Sequence, residues 1–249
     1  MIQETKLINL QEFVAKSFWK SKGIGFSFSN SLGRSGGLLT LWKEESVEVI
    51  SSFKGEGSLG IKFLKNNNFF YLVNIYSSCD SSKKRILWNR LLDLKGRFND
   101  GEWIMGGDFN AIKVRRERKG RSTASNTGEM HDFATFIEDS LLVDIPCKGK
   151  KFTWYSGDGK SMSRIDRFLV SDKVVDDWGV VGQLVGDRDK EWEGFKVEGR
   201  GDFVLKEKLR LLKDRLKWWN KEVFGRIGLE VEKGARDINL GDDRLELEG

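Results

Sequence analysis

One histidine, one proline and two cysteines are all that 249 residues hold of these three types, and no apolar run reaches the length of a membrane span. Cys79 and Cys147 stand far apart without metal-ligand spacing. A disulfide scaffold or zinc knuckle is therefore not expected, and reduced thiols in an intracellular protein, nuclear or cytoplasmic, are. The opening residues Met1-Ile2-Gln3-Glu4-Thr5-Lys6 lack the apolar centre of a signal peptide. No metal-ligand or nucleophile spacing surrounds the single histidine, His131, so histidine-rich sites are excluded. With one proline against 28 glycines, tight turns fall to glycine. Neither charge sign dominates: 43 Lys and Arg against 38 Asp and Glu give a net charge of +5, a mild bias toward a polyanionic partner such as nucleic acid.

What is present is apolar and aromatic material for a sizeable core. Hydrophobic residues make up 39% and aromatics 12%, with nine tryptophans, too rich for a disordered chain. Gly36–Trp42, Val47–Phe53, Leu59–Leu64 and Phe69–Tyr76 read as strands bounded by Gly, Ser and Asn, and their close spacing predicts antiparallel hairpins. Ser82–Phe98, with Ile86, Leu87, Leu91 and Leu94, has helical spacing. A second helix is predicted over Gly128–Leu142, with Met130, Phe133, Ile137 and Leu141 on one face and His131 off it, facing water. Lys151–Ser156 and Ser163–Ser171 read as a hairpin across Gly157-Asp158-Gly159. The chain is expected to divide into a domain over 1–178, a linker over 179–200, an amphipathic helical arm over 201–233 and a charged tail over 234–249. In the arm, Leu205, Leu209, Leu212, Leu216, Trp219 and Val223 repeat at alternating steps of four and three, a stripe suited to a helix partner.

The most informative segment is Trp103-Ile104-Met105-Gly106-Gly107-Asp108-Phe109-Asn110. It reads as a buried strand whose glycines permit a turn and a close approach, at the strand end where ligands collect in an α/β sheet. Asp108 and Asn110 together can hold a hard cation, a water or a phosphate oxygen. An Asx turn, with Asp108 bonding the backbone of Asn110, is the plainer alternative. Glu4 near the start, Tyr76 at the end of Leu72–Tyr76 and Asp166 within a late apolar alternation are further candidates. Asp166 would need a partner on its strand face, and Arg164 or Arg167 can supply one. After Asn110 comes a basic run, Lys113, Arg115, Arg116, Arg118, Lys119 and Arg121, which is either a grip on a DNA backbone or a solvated loop.

Gln3-Glu4-Thr5-Lys6, Gly33-Arg34-Ser35-Gly36-Gly37-Leu38, Asn74-Ile75-Tyr76-Ser77, Gly106-Gly107-Asp108-Phe109-Asn110, Phe152-Thr153-Trp154 and Ser163-Arg164-Ile165-Asp166-Arg167 occur in that order. With them the chain resembles the endonuclease/exonuclease/phosphatase superfamily, and within it the endonuclease region of plant LINE-type (non-LTR) retrotransposons. The resemblance implies an α/β fold, a DNase I-like four-layered sandwich of two facing, mostly antiparallel sheets, here incomplete and followed by a long C-terminal helix. It implies Glu4 as a ligand of Mg²⁺ or Mn²⁺. It implies Asp108 and Asn110 as the residues that place the attacking water, with Asp108 as general base. Tyr76 would bind a phosphate oxygen, Asp166 would orient the surroundings, and DNA would be the substrate. Two family features have no counterpart: an early strand bearing an asparagine, and a late Ser-Asp-His motif. The resemblance thus implies a truncated, impaired phosphodiesterase, with a non-catalytic nucleic-acid-binding or helix-pairing module as the alternative.

Overall fold

A computed structural model of the chain describes residues 1–6, 23–32, 35–120 and 127–185, all within a compact unit, Met1–Gly186. Gly33, Arg34, Arg121, the helical arm and the tail lie outside the described residues. In chain order the strands are β1 (Ile24–Leu32), β2 (Ser35–Lys43), β3 (Glu48–Gly55), β4 (Ser58–Lys65), β5 (Asn68–Tyr76), β6 (Glu102–Asp108) and β7 (Arg118–Lys119). They continue as β8 (Val143–Asp144), β9 (Cys147–Lys148), β10 (Trp154–Tyr155), β11 (Met162–Ser163), β12 (Asp166–Val170) and β13 (Gln183–Leu184). The helices are α1 (Ser81–Arg97), α2 (Thr127–Asp139) and α3 (Asp172–Trp178).

The centre is a six-stranded sheet in the order β3-β4-β5-β6-β12-β8. The β3–β4 and β4–β5 hairpins are antiparallel. The latter turns on Asn66 and Asn67, both at positive φ (50° and 60°), the conformation a two-residue hairpin demands. Between β5 and β6 the pairing becomes parallel, because α1 carries the chain back across the sheet. Asp80 caps α1, its side chain accepting from the Lys83 amide. β12 returns antiparallel to β6. One sheet face buries Tyr71, Val73, Ile75, Trp103, Met105 and Leu169 against Leu87, Trp88 and Leu91 of α1 and Phe133, Phe136 and Ile137 of α2. The other buries Ile61, Phe63, Phe70, Ile104 and Val170 with Val174 of α3, and the β1–β2 pair packs across β4 and β5. Three layers are thus described: helices, sheet, and a two-stranded pair opposite. No helix among the described residues is long and apolar enough to cross a membrane.

The four early strands lie where their Gly, Ser and Asn boundaries place them, but β2 pairs with β1 in a separate sheet rather than forming a hairpin with β3, and other elements differ. Ile86 is 63% exposed, because the buried stripe of α1 runs through Lys84, Leu87, Trp88 and Leu91. Leu141 is 78% exposed and lies beyond the end of α2, at φ 51°. The late hairpin is split: β10 and β11 form a small sheet with β7, while β12 leaves it at Arg164-Ile165 to join the main sheet. β1 is a strand that the sequence alone does not announce, although Ile24, Phe26 and Phe28 alternate with glycine and serine. β13 pairs in parallel with β9, so the compact unit continues past Trp178.

Candidate active site

Tyr76, Asp108 and Asp166 sit side by side on three adjacent strands. Tyr76 is in register with Asp108 across the parallel pair, and Asp108 with Asp166 across the antiparallel one. Residues directly opposite share a sheet face, so the three side chains form one row at the carboxyl end of β5 and β6. The two glycines before Asp108 make this row possible. A Cβ on Gly107, which sits at φ 138°, would lie 2.1 Å from the Ile75 carbonyl oxygen. One on Gly106 would strike the Phe168 ring at 2.6 Å.

Glu4 reaches the row from the opposite layer. Its segment is laid along β2 by bonds between Ile2 and Leu39 and from the Thr5 and Lys6 amides to the Gly37 and Gly36 carbonyls. A fully buried asparagine, Asn74, anchors it from β5. The Asn74 amide donates to the carbonyls of Ile2 (3.1 Å) and Leu39 (3.2 Å), and its oxygen accepts from Gln3 Nε2 at 2.7 Å. Glu4 then turns at φ 52°, and its carboxylate accepts the Tyr76 hydroxyl at 2.5 Å. Burial, and after it the Glu4 hydrogen bond, pushes the Tyr76 phenol above its ordinary range, so Tyr76 remains a donor. In the sequence Asn74 enters only as part of the Asn74-Ile75-Tyr76-Ser77 motif, without a role; the signal for one is an amide interrupting the apolar run Leu72-Val73-Asn74-Ile75.

Asn110 forms the Asx turn that the sequence offers as the plainer reading. Its backbone N–H donates to Asp108 Oδ1 at 2.8 Å, which is the Asx turn, and the residue sits at φ 49°. Its side-chain amide donates to the Ser77 carbonyl (2.8 Å) and toward Asp108 Oδ2 (3.3 Å). Its own carbonyl accepts from Lys84 Nζ at 2.6 Å. The turn therefore presents Asp108 and Asn110 together in a fixed arrangement.

The basic run is not a free loop. Arg115–Glu117 forms a single 3₁₀ turn, and β7 pairs with β11. Glu117 folds inward and accepts from the Lys113 amide at 2.7 Å. Arg164 and Arg167, the candidate partners for Asp166 on sequence grounds, hold Glu117 and Asp144. Arg164 reaches Glu117 at 3.0 Å and Asp144 at 2.6 Å; Arg167 reaches Asp144 at 2.7 Å and also pairs with Glu117. Burial alone would raise the Glu117 carboxyl, but the Arg167 hydrogen bond and charge outweigh it and hold the group below its usual value. This anchored segment leaves Arg115, Arg116 and Lys119 exposed and Lys113 and Arg118 half-buried, with Arg118 Nε donating to Ser163 Oγ at 3.1 Å. At the beginning of β12, Thr153 Oγ1 accepts from the Asp166 amide at 2.9 Å.

His131 is exposed on α2. Among the described residues no group of three or more His, Cys, Asp or Glu is disposed to hold a metal ion. Glu4 and its row nonetheless offer hard oxygen donors and no soft ones, which suits an ion that takes one or two carboxylates and keeps its waters.

The sequence profile of the Endonuclease/Exonuclease/phosphatase family matches residues 1–194. No curated protein matches the chain. Among solved structures, the endonuclease domain of TRAS1, a telomere-specific non-LTR retrotransposon, superposes with a TM-score of 0.50 at 14% identity, over 63% of this chain and 70% of that one. D. rerio TDP2 complexed with a single-strand DNA product gives 0.42 at 14% identity, over 60% and 62%. A beta toxin from Staphylococcus aureus gives 0.38 at 13% identity, over 55% and 53%. At these identities the TRAS1 likeness speaks for the fold, and the two lower scores add nothing to it.

Proposed function

The chain belongs to the endonuclease/exonuclease/phosphatase family, and from that premise we propose that it is a retroelement-derived DNA endonuclease-like domain of the plant LINE type, impaired in catalysis. The observation that carries the reading is the row Tyr76, Asp108 and Asp166, with Glu4 bonded to Tyr76 and Asn110 to Asp108. Two carboxylates directly opposite on one sheet face destabilise a sheet unless a cation or donors compensate. Asn110 supplies donors to Asp108, and a cation brought to a phosphodiester would be a further compensation that this row is suited to hold.

Glu4 would hold Mg²⁺ or Mn²⁺, which when bound supplies charge neutralisation at a phosphate oxygen. Asp108 is the base for an attacking water. With its amide protons directed at Ser77 and Asp108, Asn110 keeps Oδ1 as the acceptor that orients this water. The Tyr76 hydroxyl, whose one proton goes to Glu4 in the free site, would turn it to a phosphate oxygen when substrate enters. Asp166, next to Asp108, shapes the field around them. Arg115, Arg116 and Lys119 grip the DNA backbone without reading sequence.

Impairment follows from what does not face this row. The family resemblance calls for a late histidine in a Ser-Asp-His motif. The chain's one histidine is His131, exposed on α2, which fits an internal deletion after the β12 region. Losing one positioned acid or base costs about 10²–10⁴ in rate. A second reading, a module that binds nucleic acid without cutting it, is favoured by the exposed cations on the anchored basic segment. Incubation with supercoiled DNA and Mg²⁺ or Mn²⁺ tests both: salt-sensitive binding with nicking near background is the expected result. Robust nicking abolished by Asp108→Ala would contradict impairment, and absence of binding at low salt would contradict the nucleic-acid role.

A further inference from the structure

Lys84 carries a charge on the buried stripe of α1, where Leu87, Trp88 and Leu91 are its neighbours and it is itself only 3% exposed. Two acceptors meet its ammonium: Glu129 of α2 at 2.7 Å and the backbone carbonyl of Asn110 at 2.6 Å. Ser81 Oγ donates to the other Glu129 oxygen at 2.6 Å and so fixes that carboxylate. A buried ion pair between two helices adds little over apolar packing of the same volume, so stapling α1 to α2 is a weak reason for a lysine here. The Asn110 carbonyl is a stronger one. Asn110 sits at φ 49°, in the left-handed region that asparagine tolerates but that the bonds around it must select.

We propose that Lys84, oriented by Glu129, is a positioning residue that clamps the Asp108–Asn110 turn from the helical layer. The clamp fixes the carbonyl of Asn110, while the Asx bond to Asp108 and the bond to Ser77 fix its amide groups. The relevance of that turn to phosphodiester chemistry rests on the reading above; the clamp itself does not.

Amide hydrogen exchange on the full chain, without DNA or metal, tests it. Lys84→Met is expected to speed exchange at Asn110 about tenfold or more, the size of a lost charge-assisted hydrogen bond, with Ile104 and Met105 in β6 unchanged. Lys84→Met combined with Glu129→Met leaves no unpaired buried charge. It should return the melting temperature toward wild type while Asn110 stays fast. Unchanged Asn110 exchange in Lys84→Met, or its recovery together with stability in the double variant, would overturn the proposal. Unfolding of the double variant would do so too, since the pair would then be holding the core rather than the turn. None of these readouts depends on nuclease function, so an inactive chain leaves the clamp standing, and a failed clamp leaves the functional reading standing.

Discussion

Of the two positions before Asp108, Gly107 allows no side chain and Gly106 only one that displaces Phe168 and the end of Met1, and both set the row that follows. Gly107→Ala places a Cβ against the Ile75 carbonyl at a φ that L-residues avoid. It should cost more than about 2 kcal/mol by thermal melting; a neutral result would mean that β5 and β6 meet differently. Asn74→Ala leaves the Ile2 carbonyl without the Asn74 donor and frees Gln3. A loss of about 1–3 kcal/mol is expected for the hydrogen bonds removed, the Ile2 and Leu39 carbonyls keeping their backbone donors, with Glu4 released from Tyr76. At this scale the sequence is legible where a residue type has few structural uses: Gly-Gly-Asp-Phe-Asn announces a strand end, and Tyr76 and Asp166 stand out against apolar neighbours. Asn74 and Lys84 are not legible, because one polar residue in a strand or helix looks the same whether it faces water or anchors another layer. Only the tertiary pairing separates the two.

Between elements, the pairs Arg164 and Arg167 with Glu117 and Asp144 join the basic segment to β8 and β12. Arg167→Met removes a fully buried cation from two carboxylates. It should destabilise by about 3–5 kcal/mol, as breaking one side of a buried pair does. Acid should weaken the same junction. Glu117 is held below its usual value in the folded state, so the unfolded chain binds the extra proton first. Its contribution is complete above the unfolded-state range near about pH 4.3 and is lost as pH falls through the lower folded value. Denaturant melts from neutral to acid pH should show this loss, and Glu117→Gln should flatten it. On the outer face, Arg115→Glu with Arg116→Glu should weaken DNA binding and reduce the salt slope by about one for each phosphate no longer neutralised; an unchanged slope would return these residues to solvent. Periodicity locates the early strands and both main helices. It cannot show that β12 departs from its hairpin to join β6, or that Glu117 turns inward, because both depend on partners distant in the chain.

At the scale of the whole molecule, fold and chemistry are separate on the proposed reading. The described unit buries apolar clusters on both faces of a six-stranded sheet and brings Glu4, Tyr76, Asp108, Asn110 and Asp166 to one end of it. No histidine accompanies them; His131 is on the outside of α2. On the reading proposed above, the end of the sheet that would take the ion and the phosphate is assembled although no histidine stands beside it. Paramagnetic broadening of backbone amide signals by Mn²⁺ reads that end directly, whether or not DNA is cut. Broadening centred on Glu4, Ser77 and Phe109 at low Mn²⁺, lost in Glu4→Gln, is the expected result. Broadening centred elsewhere, or none that Glu4→Gln removes, would contradict it.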